Sequence, residues 1–325
     1  MTRRTATAAP PPAPEKWSDP EITAGGERRA EVALRTDAGV GAQTLWFNTG
    51  TLCNIECANC YILSSPTNDA LVYLSRAEVA RYLDEIPARG WPTREIGITG
   101  GEPFMNPEII GILEEALSRG YETLMLTNAM RPMMRARVQE GLLDLKARFG
   151  DKLTLRVSID HYTAARHDAE RGEGSFAITL EGMRWLAQHG FRMHAAARTM
   201  WGEQEDANRD GFRRLFRDNG FAIDADSPVE LVLFPEMDER AEVPEITESC
   251  WGILGKSPSD VMCSSARMVV KRRGAERPAV LACTLLAYDE AFELGETLAD
   301  AEASVKLNHP HCAKFCVLGG AKCSA

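Results

Sequence analysis

The chain has 325 residues, of which 44% are hydrophobic, so it is long enough to bury one large core with or without an appendage. Its 47 acidic and 37 basic residues give a net charge of −10, which argues against nucleic acid as a partner. The sequence contains no run of about 18 apolar residues, the length needed to span a bilayer, so no membrane partner is expected.

The N-terminal segment is rich in Pro and Ala. Arg3 and Arg4 form a twin arginine, but Ala, Thr and Pro follow where an export signal needs an apolar segment. We therefore expect residues 1–41 to be a flexible tail, up to about residue 25, and a lead-in to the first strand. Without an export signal, the expected location is the reducing cytoplasm, where thiols stay free to bind metal.

Short apolar runs alternate with amphipathic segments along the middle of the chain. The runs predict six strands, at 43–48, 95–98, 122–127, 153–158, 192–198 and 229–234. Ser75 and Glu78 form a predicted capping box at the start of one helix, and Asn106 is the predicted N-cap of the next. Helices are expected to end at Gly120, Gly190 and Gly220.

This alternation indicates an α/β fold. Strand–helix units imply a parallel sheet covered by helices, and six units predict a partial (β/α)6 barrel over residues 42–240. In such sheets the working residues lie at the C-terminal ends of the strands. A loop with three cysteines directly follows the first predicted strand, which places it where an active site belongs.

The nine cysteines fall into two groups. Three lie at Cys53, Cys57 and Cys60, none lies between residues 61 and 249, and six lie in the last 76 residues. An odd number of cysteines in a protein without an export signal argues against a disulfide framework. Two separate thiolate sites account for the distribution better.

The first group has one thiol fewer than most structural metal sites. A structural zinc ion takes four N or S ligands, and no histidine precedes His161. A 4Fe–4S cluster is ordinarily held by four thiolates, so a cluster held by three keeps one iron open for a ligand that is not protein. The alternative is a set of buried or redox-active thiols without metal.

The sequence resembles the radical S-adenosylmethionine (radical SAM) superfamily over about residues 43–240. The resemblance is carried by Cys53-x3-Cys57-x2-Cys60 after the first strand and by Gly100-Gly101-Glu102-Pro103 after the second. It implies a partial barrel of the radical SAM type with a site-differentiated 4Fe–4S cluster on the three cysteines. It also implies that adenosylmethionine chelates the open iron, and that an electron donor such as flavodoxin or ferredoxin drives its cleavage. The resulting 5′-deoxyadenosyl radical takes a hydrogen atom from the substrate.

Adenosylmethionine-binding residues are expected at the ends of several strands. Gly100 and Gly101 allow backbone to approach its amino group, and Glu102 accepts protons from that group or from neighbouring backbone N–H groups. Pro103 completes this motif.

Two later strand ends supply further candidates. Ser158 and Asp160 are hydroxyl partners for the ribose, although Asp160 is equally suited to cap the next helix. Arg198 is a candidate for the carboxylate of adenosylmethionine, with a surface salt bridge as the alternative. The family commonly has an aromatic residue before the third cysteine, and this chain has Asn59 there, followed after the cysteine by Tyr61.

The six cysteines of the C-terminal region, which we call the tail, suggest a second site. Cys263 and Cys283 flank two apolar runs around a polar turn, which predicts a β-hairpin. This region resembles the SPASM or shorter twitch extension that carries auxiliary iron–sulfur clusters, and residues 167–176 resemble the same branch. The expected domain spans residues 241–325, as a small cysteine-rich α+β extension.

Six thiols are enough for one four-thiolate auxiliary 4Fe–4S cluster. The expected ligands are Cys263, Cys283, Cys312 and Cys316, with Cys323 as the main alternative and Cys250 upstream of the hairpin. Zinc bound by the same residues is the competing reading. His309 and His311 flank Cys312 but are better explained as structural histidines.

The sequence thus predicts a radical SAM enzyme that completes a net oxidation or bond formation with the help of the auxiliary cluster. A non-catalytic iron–sulfur electron carrier or scaffold is the main alternative, and the Gly-Gly-Glu-Pro motif argues against it. A zinc-binding interaction module is a third reading. The substrate is expected to be a small molecule or a ribosomal peptide that is delivered separately, since only about 42 residues precede the first strand.

Overall fold

The computed structural model describes residues 15–235 and 242–320. The strands of this part of the chain are β1 Glu31–Val32, β2 Arg35–Thr36, β3 Gly39–Val40, β4 Thr44–Asn48, β5 Glu95–Thr99, β6 Glu122–Thr127, β7 Leu153–Ser158, β8 Arg192–Arg198, β9 Leu231–Phe234, β10 Ala266–Val270, β11 Ala279–Leu281, β12 Glu293–Gly295 and β13 Val305–Lys306. The helices are α1 Arg76–Arg89, α2 Ile109–Ser118, α3 Ala136–Phe149, α4 Ala164–Arg171, α5 Ser175–Gln188, α6 Glu205–Asn219 and α7 Cys250–Leu254, and a π-helix spans Cys312–Leu318.

A nine-stranded sheet organises the molecule, in the order β12-β11-β10-β4-β5-β6-β7-β8-β9. Strands β4 to β9 are parallel neighbours, with helices in the connections between them. This arrangement confirms the α/β fold and the six-strand partial barrel. Three of the six predicted strands have the predicted bounds, and the other three differ by one or two residues at an end.

Helix ends follow the predicted signals with one exception. Ser75 accepts the backbone N–H of Glu78, whose carboxylate in turn accepts the N–H of Ser75, so the capping box is formed. The predicted N-cap at Asn106 is wrong, because α2 begins at Ile109 after the N-cap Glu108. The side chain of Asn106 instead accepts the N–H of Glu108 and ends the short 3-10 turn before it.

The cysteine-bearing tail continues the sheet of the barrel. Strands β10 and β11 form the predicted antiparallel hairpin, and β10 also pairs in parallel with β4, with Ala266 opposite Thr44. The edge of β4, whose backbone groups would otherwise lack partners, is therefore covered. The boundary expected at residues 240/241 lies outside the described residues.

The N-terminal segment packs more closely than the sequence suggests. The sequence predicts a flexible N-terminal segment up to about residue 25. The structure differs from this prediction over residues 16–25, where Trp17 is only 2% exposed. Arg29 is fully buried and bonds the carboxylate of Glu245 at 2.8 Å, and β1 pairs with β13. These contacts hold the segment before β4 against the C-terminal, cysteine-bearing region. Among the residues described, no helix is both long and apolar enough to cross a membrane.

Candidate active site

A cavity opens at the C-terminal ends of β4 to β8, and we call it the barrel cavity. Cys53, Cys57 and Cys60 all line it, as the sequence predicts for a site at this edge of the sheet. Gly100 and Gly101 contribute another part of the wall, from the loop after β5. The structure therefore brings the two sequence motifs to one place.

The cysteine loop is held by its own backbone. The N–H of Cys53 donates to the carbonyl of Ser65 at 3.0 Å, and the Sγ of Cys60 accepts the N–H of Ser64 at 3.3 Å. Burial raises the pKa of the Cys53 thiol to about 12 and that of Cys57 to about 11. These thiols therefore stay protonated near neutral pH unless a bound cation stabilises the thiolates.

The two glycines allow this cysteine loop and the loop after β5 to touch. A Cβ on Gly101 would lie 2.4 Å from the carbonyl oxygen of Leu52, and one on Gly100 would lie 2.7 Å from that of Gly50. The N–H of Gly101 donates to the carbonyl of Gly50 at 2.8 Å. Glycine is required here because backbone packs directly on backbone.

Glu102 supports the cavity without lining it. It is 1% exposed, and its carboxylate accepts the N–H of Asn128 at 2.8 Å and the hydroxyl of Thr127 at 2.9 Å. It also accepts the N–H of Phe104. Of the two expected roles, the structure shows the contact with backbone N–H groups, and Pro103 is likewise buried away from the cavity.

Asp160 lines the cavity beside Ser158. Its carboxylate accepts the Nε and Nη2 of Arg171 at 2.7 and 3.0 Å. Although burial opposes ionisation, the charge of Arg171 holds the pKa of Asp160 below its usual value. The alternative that Asp160 caps the next helix is wrong, because α4 begins after the N-cap Thr163.

Arg198, at the end of β8, also lines the cavity. Its Nη1 donates to the carbonyl of Asn59 at 3.0 Å, while its buried Nε and Nη2 have no hydrogen-bond partner in the part of the chain that the structure describes. Its charge acts on Asp160, whose pKa it helps to lower, without a hydrogen bond between the two side chains. Two free N–H donors in a fork match the geometry of a ligand carboxylate.

Two residues of the cavity wall were not singled out from the sequence, Glu170 and Arg171 at the end of α4. Glu170 accepts the side-chain amide of Asn59 at 2.9 Å, and its carbonyl accepts the N–H of Ala58 at 2.8 Å. The charge of Arg171 lowers the pKa of Cys57, although burial outweighs it. The available signal was their position in the 167–176 segment, whose partners only the folded chain identifies.

A second cavity lies in the C-terminal region, and we call it the tail cavity. The four expected ligands line it: Cys263, Cys283, Cys312 and Cys316. Cys250 does not line it, and Cys323 lies outside the described residues. Burial raises the pKa of Cys263 to about 11 and that of Cys312 well above its usual value.

The tail cavity has thiols on its wall as possible metal ligands. Within residues 15–235 and 242–320, no three His, Cys, Asp or Glu side chains converge closely enough for one metal ion. Four thiols around a cavity, with His311 and apolar side chains completing the wall, suit a larger thiolate-bound group.

The barrel and tail cavities are neighbours. Leu285 lines both, and Phe315 of the π-helix lines the barrel cavity while Cys312 and Cys316 of the same helix line the tail cavity. Phe315 stacks on Phe234 at the end of β9, with ring centroids 5.6 Å apart. The tail therefore forms part of the wall of the barrel cavity.

Known proteins resemble slightly less than half of this chain. The chain is 32% identical over 154 residues to the antilisterial bacteriocin subtilosin biosynthesis protein AlbA of Bacillus subtilis, covering 46% of this chain and 32% of that protein. It is 29% identical over 141 residues to the mycofactocin maturase MftC of Mycobacterium ulcerans, covering 43% of this chain and 35% of that protein. The chain thus spans about a third of the length of these curated relatives.

The fold and the family are shared with known proteins. The structure of native anSMEcpe with bound AdoMet and Kp18Cys peptide aligns with a TM-score of 0.56 at 13% identity, covering 83% of this chain and 82% of that chain. At this identity the likeness shows the fold. The family profile of the Radical SAM superfamily matches residues 47–208. This chain therefore belongs to the radical SAM superfamily, whose members bind a 4Fe–4S cluster and S-adenosylmethionine, and its cysteine-bearing tail is consistent with the SPASM/twitch branch.

Proposed function

We propose that this protein is a radical SAM enzyme that carries out a net oxidation or an oxidative bond formation on a peptide, with an auxiliary 4Fe–4S cluster in the tail cavity. The observation that carries the proposal is the position of Leu285, which lines both cavities. Leu285 is thus shared by the wall of the space for the substrate and the wall that holds the four tail cysteines. An electron acceptor in the tail cavity would therefore lie beside the substrate.

The residues of the barrel cavity divide into two groups by their chemistry. Cys53, Cys57 and Cys60 are the donor set for the barrel cluster, and their number leaves one iron open. Gly100 and Arg198 face the same cavity and are placed to bind adenosylmethionine. The two free N–H donors of Arg198 bind the carboxylate of adenosylmethionine. The loop after β5 carries Gly100 and Gly101, and we call it the glycine loop; it leaves space for the amino group of adenosylmethionine.

The chain holds the remaining polar groups of this cavity in fixed positions. Arg171 is held in an ion pair by Asp160, and its guanidinium lies near Cys57 and Cys60. Glu170 holds Asn59 of the cysteine loop. The loop is thus fastened to the end of α4, and its thiols are presented to one side of the cavity without large rearrangement.

The tail covers the apolar side of the barrel cavity. Phe234, Leu285 and Phe315 meet there and exclude water from the space next to adenosylmethionine. Exclusion of water protects reactive intermediates from side reactions. The same wall gives an apolar side chain of the substrate a place to bind.

When bound, the two clusters supply the electron that cleaves adenosylmethionine and an acceptor for the electron that the substrate radical releases. In the net reaction, adenosylmethionine receives one hydrogen atom and one electron and yields methionine and 5′-deoxyadenosine. The substrate loses this hydrogen atom and electron and also releases one proton, so atoms and charges balance. Adenosylmethionine is therefore consumed once in each turnover.

A peptide substrate is supported by the similar proteins. AlbA is named for bacteriocin biosynthesis, MftC is a maturase, and the anSMEcpe structure contains a bound peptide. The expectation from the sequence left a small molecule equally open. Peptides encoded beside the gene for this protein are the first substrates to test.

The experiment compares four proteins that are reconstituted anaerobically and reduced in the presence of adenosylmethionine. Wild type should form 5′-deoxyadenosine, and Cys57→Ala should not, because the barrel donor set is broken. Cys283→Ala should still cleave adenosylmethionine but yield no oxidised peptide. The oxidised peptide is detected by mass spectrometry through its loss of hydrogen. Cys250→Ala is the matched control, because Cys250 lines neither cavity, and it should behave as wild type.

Two results would contradict the proposal. If wild type forms no more 5′-deoxyadenosine than Cys57→Ala, the protein is not a radical SAM enzyme, and a non-catalytic electron carrier is favoured. If Cys283→Ala gives full product at the normal rate, the tail site is not the electron acceptor. In that case the tail braces the fold, with metal binding contributing folding energy.

A further inference from the structure

Arg267 is a buried cation that forms no ion pair with a carboxylate in the described part of the chain. It lies on β10, four residues after Cys263, and its side chain is fully buried. All of its hydrogen bonds go to backbone carbonyls, those of Ala301, Ala303, Cys263 and Ala266, at 2.6 to 3.1 Å. Across the residues that the structure describes, none of these contacts is with a carboxylate. Carbonyl dipoles satisfy its N–H groups but leave its net charge uncompensated.

Such an arrangement is costly unless a negative charge lies nearby. Removing a charged group from water costs several kcal/mol per ion after relaxation, and an opposite charge normally offsets this cost. Arg29, the other fully buried arginine next to this region, follows the rule through its ion pair with Glu245. Arg267 does not, so its partner has to be sought among groups other than carboxylates.

The tail cavity supplies such groups. The Nη1 of Arg267 bonds the carbonyl of Cys263, and Cys263 and Cys283 both line the cavity. Thiolates at these two positions would act electrostatically on the buried Arg267 guanidinium. Arg267 itself does not line the cavity, so it acts from behind the wall.

We propose that Arg267 is the counter-charge of the anionic group held in the tail cavity and that it raises the reduction potential of that group. The inference rests on the proposed auxiliary cluster. A cluster bound by four thiolates is already negative and gains a further negative charge when it is reduced. A fixed positive charge in a low-dielectric surrounding stabilises the reduced form more than the oxidised form. Arg267 would therefore favour transfer of the electron from the substrate to the tail site.

The test is a redox titration of the tail cluster, followed by electron paramagnetic resonance, in a Cys57→Ala background that removes the signal of the barrel cluster. Arg267→Gln removes the charge and keeps donors for the carbonyls, whereas Arg267→Lys keeps the charge. The control is Arg156→Gln, because Arg156 is 2% exposed and lines neither cavity. The oxidised-to-reduced ratio at a fixed potential should rise at least tenfold in Arg267→Gln, about 59 mV for one electron. It should change less in Arg267→Lys and not at all in the control.

Each outcome decides the question. An unchanged potential in Arg267→Gln, or an equal shift in Arg267→Lys, overturns the inference. If Arg267→Gln binds no tail iron while Arg267→Lys does, the charge is needed for assembly and the inference stands. Loss of tail iron from both variants shows a structural role and overturns it. Absence of tail iron from wild type would instead refute the proposed auxiliary cluster.

Discussion

The contact between the glycine loop and the cysteine loop can be tested by one methyl group. In Gly101→Ala, the new Cβ would lie 2.4 Å from the carbonyl oxygen of Leu52, 2.7 Å from its carbonyl carbon and 2.7 Å from the carbonyl oxygen of Thr51. All three atoms are backbone, so no side chain can rotate away. The loop that carries Cys53 has to move.

The size of the effect follows from these distances. Overpacking a closely packed interior costs about 1–3 kcal/mol, and backbone atoms place this case at the upper end. The shift also falls on Leu52, which directly precedes Cys53. We therefore expect the free energy of unfolding of the metal-free protein to fall by about 2–3 kcal/mol. Formation of 5′-deoxyadenosine should fall at least tenfold, since a misplacement of about 1 Å can cost a hundredfold in rate.

The assay pairs denaturant unfolding with measurement of 5′-deoxyadenosine after anaerobic reconstitution. Gly252→Ala is the matched control, because the Cβ at this exposed position in α7 would meet no atom within 4 Å. Alanine in a helix should leave stability unchanged or raise it by up to about 1 kcal/mol. If Gly101→Ala unfolds like wild type and cleaves adenosylmethionine at the wild-type rate, the argument from loop contact is wrong.

Three further predictions concern the metal sites, the carboxylate contact and pH. Reconstituted wild type should bind about eight irons per chain, as two cubane clusters. Cys57→Ala should lose about four of them, while the tail keeps its cluster. About four irons and one zinc in wild type would instead favour zinc in the tail. Arg198→Gln should weaken binding of adenosylmethionine at least tenfold, because hydrogen bonds to charged groups contribute about 1.5–3 kcal/mol. Calorimetry measures this affinity, and the barrel iron content should not change. An unchanged affinity would exclude the carboxylate contact. Burial raises the pKa of Glu102 to about 7, so its contribution to stability is fully present below pH 4.5 and is lost as pH rises through 7. Relative to Glu102→Gln, the free energy of unfolding of the metal-free wild type should therefore fall by about 3 kcal/mol between pH 4.5 and 8. Parallel pH profiles of the two proteins would contradict the raised pKa of Glu102.

The sequence by itself was sufficient for the barrel strands and for the grouping of the cysteines. Strands such as β6 and β7 are local apolar runs with β-forming residues, so their bounds can be predicted from neighbours in the chain. Cys53, Cys57 and Cys60 are close in sequence, and a short loop cannot separate them widely. Local patterns of this kind do not depend on how distant segments pack.

Long-range packing decided the rest of the fold. The pairing of β10 with β4 joins segments more than 200 residues apart, and no pattern within either strand identifies its partner. The burial of Trp17 likewise depends on the C-terminal region, although its neighbours are rich in Pro and Ala. In both places tertiary contacts override local composition.

The site also depends on contacts that the sequence does not specify. Arg171 is one of many surface-like residues on an amphipathic helix until Asp160 is placed opposite it. The unpaired donors of Arg198 are recognisable only once the described residues around it have been placed. Leu285 acquires its position between two cavities because the hairpin joins the barrel sheet and the π-helix closes over it. The sequence determined which chemical groups are present, and tertiary packing decided which of them share a cavity, because distance in space is set by the whole core.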